Sequence, residues 1–456
     1  MRQRASILIG LLWCMVLLSL VVIGVLHTAT MDLKVVRNFS DGIQAHYLAV
    51  AGAEKAKAIL YQNMRDRSHS GIHHTAQYYN ATDQFKEIHL GRGTFSVLRR
   101  GTDDEGGGII YGVSDEESRL NINTVSDQEL SRLQGINPDT VQAILEWRGR
   151  NEDSAQQRGD PAEYYLSLQP PYTPRNAPYQ TVRELLMVRG VTSLLLFGND
   201  THANGGIPAV GDGIGDASNP SSDNTQSDTG WAGIFTTDSS VKDIDASGQD
   251  RINIKSADEN TLAGIQGITP TIAHAIVAYR GQNDFKSIAD LLDVTAPQDQ
   301  QGAQAVNTRG RRNSGNNAGK ASGGAKLISN ELLMDIADSL TVNESGQNQA
   351  GTININSASL EVLTAMPGMN RDLAQAVINY RKSSGYLPNI AHLLKVPGFT
   401  PDLFKQLAPM ISVRSETYRI LSEGKIASSG VRRRIQEIVQ IQLNQVTTRS
   451  YREDDL

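Results

Sequence analysis

From Ser6 to Leu26 the chain is almost wholly apolar, and after Arg2 and Arg4 no Asp, Glu, Lys or Arg occurs until Asp32. A helix needs roughly 20 residues to cross the hydrocarbon core of a bilayer. Residues 6–26 therefore predict a membrane span, with the basic leader on the cytoplasmic side and the bulk of the chain across the membrane. A removable secretory signal is the rival reading. Against it, the apolar run exceeds a usual signal core, no A-x-A-like site stands near its end, and helical patterning continues beyond it. Val36, Phe39, Ile43, Tyr47 and Val50 step by three or four residues, while Asp32, Lys34, Arg37, Asp41, Lys55 and Lys57 fall on other faces. This predicts an amphipathic continuation of the same helix over residues 27–64.

The middle of the chain repeats. Arg119-Leu120-Asn121-Ile122-Asn123 aligns with Arg251-Ile252-Asn253-Ile254-Lys255 and Thr352-Ile353-Asn354-Ile355-Asn356. Fourteen residues after each aligned Asn stands Gly135, Gly267 or Gly368; twenty-two after, Ala143, Ala275 or Ala376; twenty-seven after, Arg148, Arg280 or Arg381. Fixed offsets in three copies mark a repeated structural unit. Thr124, Ser256 and Ser357 are the expected caps of a first helix, and the Gly supplies a left-handed turn. Asn137, Thr269 and Asn370 are the expected caps of a second helix. Two helices joined so tightly form a helix-hairpin-helix. Reduced copies follow at Val188–Thr192 and Val396–Pro401. The recurrent Arg is expected to relieve carbonyls at the end of the second helix.

Strand-like runs flank the repeats: Gly93–Arg100 and Gly107–Val113 within residues 90–118, then Glu416–Leu421 and Arg432–Ile441 within residues 416–443. They predict one antiparallel sheet on the long helix, with hairpin units at 119–195, 251–295 and 327–412 inserted into it. The fold class is thus α+β. Residues 199–247 and 296–325, rich in Gly, Ser, Asn and Asp or Gln, read as flexible linkers.

Net charge changes the functional picture. At −6 the chain has no long-range attraction for phosphate backbones, and Asp127, Glu129, Asp139 and Glu146 offset the arginines of the first hairpin. Hairpins that bind DNA use a second Gly to bring amides to a phosphate; here Asn137, Thr269 or Asn370 stands there, and a capping side chain competes for those amides. Nucleic acid is an unlikely partner. No phosphate loop, nucleophile elbow or Cys/His pair is present, so the chain reads as a non-enzyme. The single cysteine, Cys14, excludes an intramolecular disulfide. His69, His73 and His74 near Asp83 lack metal-ligand spacing. Gly211–Asp216 lacks the bidentate Glu of a calcium loop.

The short basic leader 1–5, followed by a helix that is apolar first and amphipathic later, resembles the type IV pilins and pseudopilins. That resemblance implies cleavage by a prepilin peptidase between Ala5 and Ser6, although Ala5 replaces the usual Gly. Gly10 stands where most pilins carry Glu at the fifth mature residue, an absence shared with the K-type minor pseudopilin. Asn121, Asn123, Trp147, Tyr164, Tyr165, Pro171, Tyr172, Asn176, Glu184 and Leu185 resemble that family, general secretion pathway protein K, through the first repeat. The resemblance implies an inner-membrane minor pseudopilin of the type II secretion system. Its partners would be the other minor pseudopilins of a tip complex that primes pseudopilus growth. Some pseudopilins bind calcium, but the family's Trp-x-Asp-x-Asp run is replaced by Trp147-Arg148-Gly149-Arg150-Asn151-Glu152-Asp153, so no ligands are assigned. The competing reading is a membrane-anchored DNA receptor of the competence kind.

Overall fold

The computed structural model describes residues 2–70, 78–149, 161–198, 230–296, 325–344, 346–443 and 445–453. One helix, Arg2–Ser70, opens the chain and runs beyond the expected end at residue 64. From Leu11 to Leu26 its large apolar side chains stand exposed.

The helix then lies on an antiparallel sheet of β1 (Ile88–Leu90), β2 (Gly93–Val97), β3 (Ser114–Asp115), β4 (Thr417–Ile426), β5 (Arg432–Gln442) and β6 (Gln445–Arg452). The order is β1-β2-β4-β5-β6, with β3 pairing β4 beyond the end of β2. All hairpin units therefore enter after β3 and leave before β4. The second expected run, Gly107–Val113, does not join the sheet: only Ile109–Ile110 is extended, paired with Arg99–Arg100. Gly106, Gly107 and Gly108, all at positive φ, fold that stretch into a local turn. β6 was not expected, because QVTTRSYR is mostly exposed and lacks a buried alternate face.

The face of the helix that meets the sheet is not the expected one. Val36, Phe39, Ile43 and Tyr47 are exposed, and Val50 is half-buried. The buried face is Ala45, Leu48, Ala49, Gly52, Ala53, Ala56, Leu60 and Met64, joined by Asp41, which pairs with Arg92 at 2.9 Å. Close approach explains this choice: a Cβ on Gly424 of β4 would fall on the Ala45 carbonyl oxygen and lie 2.7 Å from the Ala49 nitrogen. Only small helix residues let the backbones come so near.

Each hairpin unit closes on itself through a parallel two-residue ladder. Leu120–Asn121 pairs with Phe235–Thr236, Ile252–Asn253 with Leu340–Thr341, and Ile353–Asn354 with Ile411–Ser412. These ladders redraw two expected boundaries. Trp231–Ile234 and Phe235–Thr236 complete the first unit, so residues 230–247 are not linker. Asn330–Ile336 and Leu340–Thr341 complete the second unit, so the third begins near Thr352 rather than at 327. In both cases the chain departs and returns at adjacent points. A Cβ on Gly230 would lie 2.5 Å from the Gly198 nitrogen, and the Leu327 amide donates to the Val294 carbonyl at 3.1 Å. Residues 199–229 and 297–324, with Gly211–Asp216 and Arg309–Arg312, lie outside the described residues.

Candidate assembly surfaces

The repeated Asn turns the chain from strand to helix. Oδ1 of Asn121, Asn253 and Asn354 accepts from the amide two residues on, at 2.9, 2.8 and 3.0 Å. This Asx turn uses Thr124, Ser256 and Ser357, so the helix caps are Ser126, Asp258 and Ser359 instead of those residues. The second Asn ties the turn to the distal loop: Asn123 exchanges hydrogen bonds with the Tyr179 backbone at 3.0 and 2.7 Å, and Asn356 does so with Leu387 at 3.0 and 2.8 Å. Lys255 breaks the pattern and reaches Asp284 at 3.2 Å.

The recurrent Arg is structural, with a different target from the one expected. Arg148 donates to the Ile122 and Val125 carbonyls at 2.5 and 2.6 Å; Arg280 to Ile254 and Ala257 at 3.2 and 2.6 Å; Arg381 to Ile355 and Ala358 at 3.2 and 2.7 Å. These carbonyls belong to the turn before the first helix. Each Arg therefore locks the unit's entry against its second helix.

Gly135, Gly267 and Gly368 take φ of 78, 99 and 73°, each a few residues past its first helix. Oδ1 of Asn137 and Asn370 accepts from Thr140 N at 2.7 Å and Leu373 N at 2.8 Å, and Thr269 Oγ1 accepts from Ile272 N at 3.3 Å. In each hairpin one of the amides that a phosphate would use is thus occupied. Full and reduced hairpins pack face to face: a Cβ on Gly135 would lie 3.1 Å from Leu195, and one on Gly398 3.1 Å from Leu373. Arg132 then joins two units, donating to Met366 and Met369 carbonyls at 2.9 and 3.0 Å.

The aromatic residues of the first unit form one cluster. Trp147 and Tyr165 are buried with ring centroids 5.5 Å apart, and Tyr172 lies 5.4 Å from Tyr165. Tyr164 stands outside, 5.2 Å from Tyr165. Asn176 takes φ 50° after Pro171 and Tyr172, so the chain turns back toward Tyr179. Glu184 Oε1 accepts from Arg175 and from the Gln180 amide at 2.9 and 3.1 Å, and Leu185 is fully buried.

Sequence reading missed the joint between sheet and units. Asp115, Glu116 and Glu117 are buried. Asp115 Oδ2 accepts from Tyr79, Asn354, Ser357 and Ser415 side chains. Glu117 accepts from the amides of Ser240 and Thr417, both at 3.1 Å and from 123 and 300 residues away. Burial, with the Asp115 charge next, pushes the Glu117 carboxyl well above its ordinary value, against the Thr417 hydrogen bond. Burial also opposes charge on Glu116, but Arg419, Arg119 and the Thr236 hydrogen bond outweigh it and hold that carboxyl below its ordinary value. Three successive acids before a repeat were the one available signal; alone they read as a solvated turn.

Residues 116–196 match the family described as "Type II secretion system (T2SS), protein K". That stretch of the chain is thus similar to a protein K domain. Residues 247–305 and 348–412 match the helix-hairpin-helix motif, so the second and third units are of that kind. The match begins at Glu116, inside the carboxylate joint, and the N-terminal helix is long and apolar enough to cross a membrane.

The chain is also similar to endonuclease/exonuclease/phosphatase family domain-containing protein 1. Identity is 27% over 173 residues with the Xenopus laevis protein, covering 36% of this chain and 28% of the relative. With the Rattus norvegicus protein it is 25% over 153 residues, covering 33% and 26%. The match thus spans about a quarter of those relatives. Among solved structures, the GspK-GspI-GspJ complex from the enterotoxigenic Escherichia coli type 2 secretion system aligns with 92% of this chain and 98% of its own, at 10% identity and TM-score 0.43.

Ala5 and Ser6 lie within the opening helix, and nothing is described of their side chains. His73, His74 and Arg150–Asp153 fall outside the described residues, among which no group of three His, Cys, Asp or Glu is placed to hold a metal ion.

Proposed function

We propose that this protein is a non-catalytic minor pseudopilin that caps and primes the type II pseudopilus. Prepilin peptidase cuts between Ala5 and Ser6, and residues 6–26 hold the chain in the inner membrane with its N-terminus cytoplasmic. The protein then assembles with other minor pseudopilins at the tip. One observation carries this reading: a single helix is bare and apolar in its first part, is buried on a sheet in its second part, and bears a protein K domain between strands of that sheet. Three hairpin units on top make a head too bulky for another subunit to stack above it.

The test is co-purification of the full-length chain in detergent with the minor pseudopilins of the same system. A stable complex, and secretion lost on deletion, are expected. A chain that purifies alone and is dispensable for secretion contradicts the proposal. The helix-hairpin-helix matches favour a second reading, DNA binding. Salt-dependent retention on duplex DNA tests it; the capped amides and net charge of −6 predict no retention at physiological salt.

A further inference from the structure

Outside the long helix and the edge strands β1 and β6, every exposed large apolar side chain among the described residues belongs to the first unit. They are Tyr164, Leu166, Leu186, Met187 and Leu194, at 39, 55, 39, 42 and 65% exposure. The other two units share its hairpin elements, though not its helix Pro161–Leu166, and serve as an internal control at Met187 and Leu194. The 3-10 segments Val182–Met187, Ile288–Asp293 and Ile390–Lys395 correspond end to end, so Met187 stands where the others carry Asp293 and Lys395. Counting from the caps Thr192, Ser329 and Thr400, Leu194 stands where the others carry Glu331 and Asp402. An acid in the first turn of a helix is favourable. The first unit instead presents a bare leucine, which the fold does not need and which invites a partner.

One of these side chains, Tyr164, lies against a prepared cation. Arg189 occupies the hairpin tip where the third unit has Pro397, and its guanidinium lies 5.4 Å over the Tyr164 ring. Its amide donates to Tyr165 Oη at 3.3 Å, and Tyr172 Oη donates to the Met187 carbonyl at 2.8 Å, which ties both to the aromatic cluster. No carboxylate among the described residues pairs with Arg189, although the chain is acidic as a whole. Tyr and Arg in contact, with Met187 tied to the same aromatic cluster and exposed Leu in the same unit, is the composition of a binding hot spot.

We infer that this face docks a protein segment presenting apolar side chains beside a carboxylate, the carboxylate pairing with Arg189 and the apolar groups covering Tyr164, Met187 and Leu194. This inference does not depend on the tip-complex role.

The test uses full-length protein in lipid nanodiscs, with empty nanodiscs as control. Anisotropy is read with a labelled peptide alternating Leu or Phe with Asp, and with its Lys-for-Asp counterpart. The Asp peptide should bind roughly tenfold tighter than the Lys peptide. Arg189→Glu should invert that preference. Met187→Lys with Leu194→Asp, the residues of the third unit, should weaken binding by about tenfold at unchanged circular dichroism. Equal binding of both peptides, no saturable binding up to roughly 1 mM, or binding that survives the double substitution overturns the inference. Self-association of the wild-type chain that the double substitution abolishes overturns it too, by making a second copy the occupant.

Discussion

The long helix meets two surroundings, and residue size separates them. Between Leu11 and Leu26 it carries Leu, Val, Ile, Trp and Met side chains that touch nothing in the head. From Ala45 to Ala56 the positions facing the sheet are Ala at 0% exposure and the buried Gly52, apart from Leu48. Both stretches are apolar. A bilayer accommodates bulky side chains, whereas a β-sheet one backbone away admits only small ones. Hydrophobicity therefore locates the stretch apolar enough to cross a membrane, and small residues locate the protein contact.

The sharpest way to break this contrast is to enlarge a glycine on each side of it. Gly424→Leu should cost about 3 kcal/mol through overpacking against Ala45 and Ala49, read as a lower unfolding midpoint of the head. Gly10→Ala, where an added Cβ meets nothing within 4 Å, should leave that midpoint unchanged. Equal effects would remove the distinction. The next largest change is expected within the head: Arg148→Ala removes two charge-assisted hydrogen bonds to buried carbonyls and should cost about 2 kcal/mol.

A proton-linked effect is expected at the joint between sheet and units. Because the folded Glu117 carboxyl is raised, its contribution is fully present below the unfolded value near ~4.3 and is lost as pH rises through the folded value. Glu117→Gln should therefore flatten the decline in stability above that pH by up to about 1.4 kcal/mol per pH unit. Glu116, held low, contributes in the opposite sense: its share is present above the unfolded value and lost as pH falls through the folded one. Denaturant midpoints across pH check both signs. The smallest effect belongs to the exposed part of the helix, where Phe39→Ser should change head stability by less than about 0.5 kcal/mol.

Periodicity and spacing carried the large features. Asn121, Gly135 and Arg148, with their counterparts at fixed offsets, announced three equivalent units, and the apolar run announced the helix. Offsets do not say what a side chain touches, so Arg148 was assigned to its own helix end while it binds the turn before the first helix. Periodicity favours large apolar residues, so the stripe through Phe39 and Tyr47 drew attention from the alanine face that packs. Trp231 and Leu340 were separated from their units because long insertions hide a closure made by only two residues of strand. The contacts of Asp115 and Glu117 come from Ser240, Asn354 and Thr417, and no local pattern joins such distant positions.

N-terminal sequencing of the protein extracted from membranes of secreting cells tests the pseudopilin assignment most directly. A chain that begins at Ser6 and resists alkaline carbonate extraction is the expected result. An intact Met1, or a carbonate-soluble chain that begins near Ala29, would contradict it.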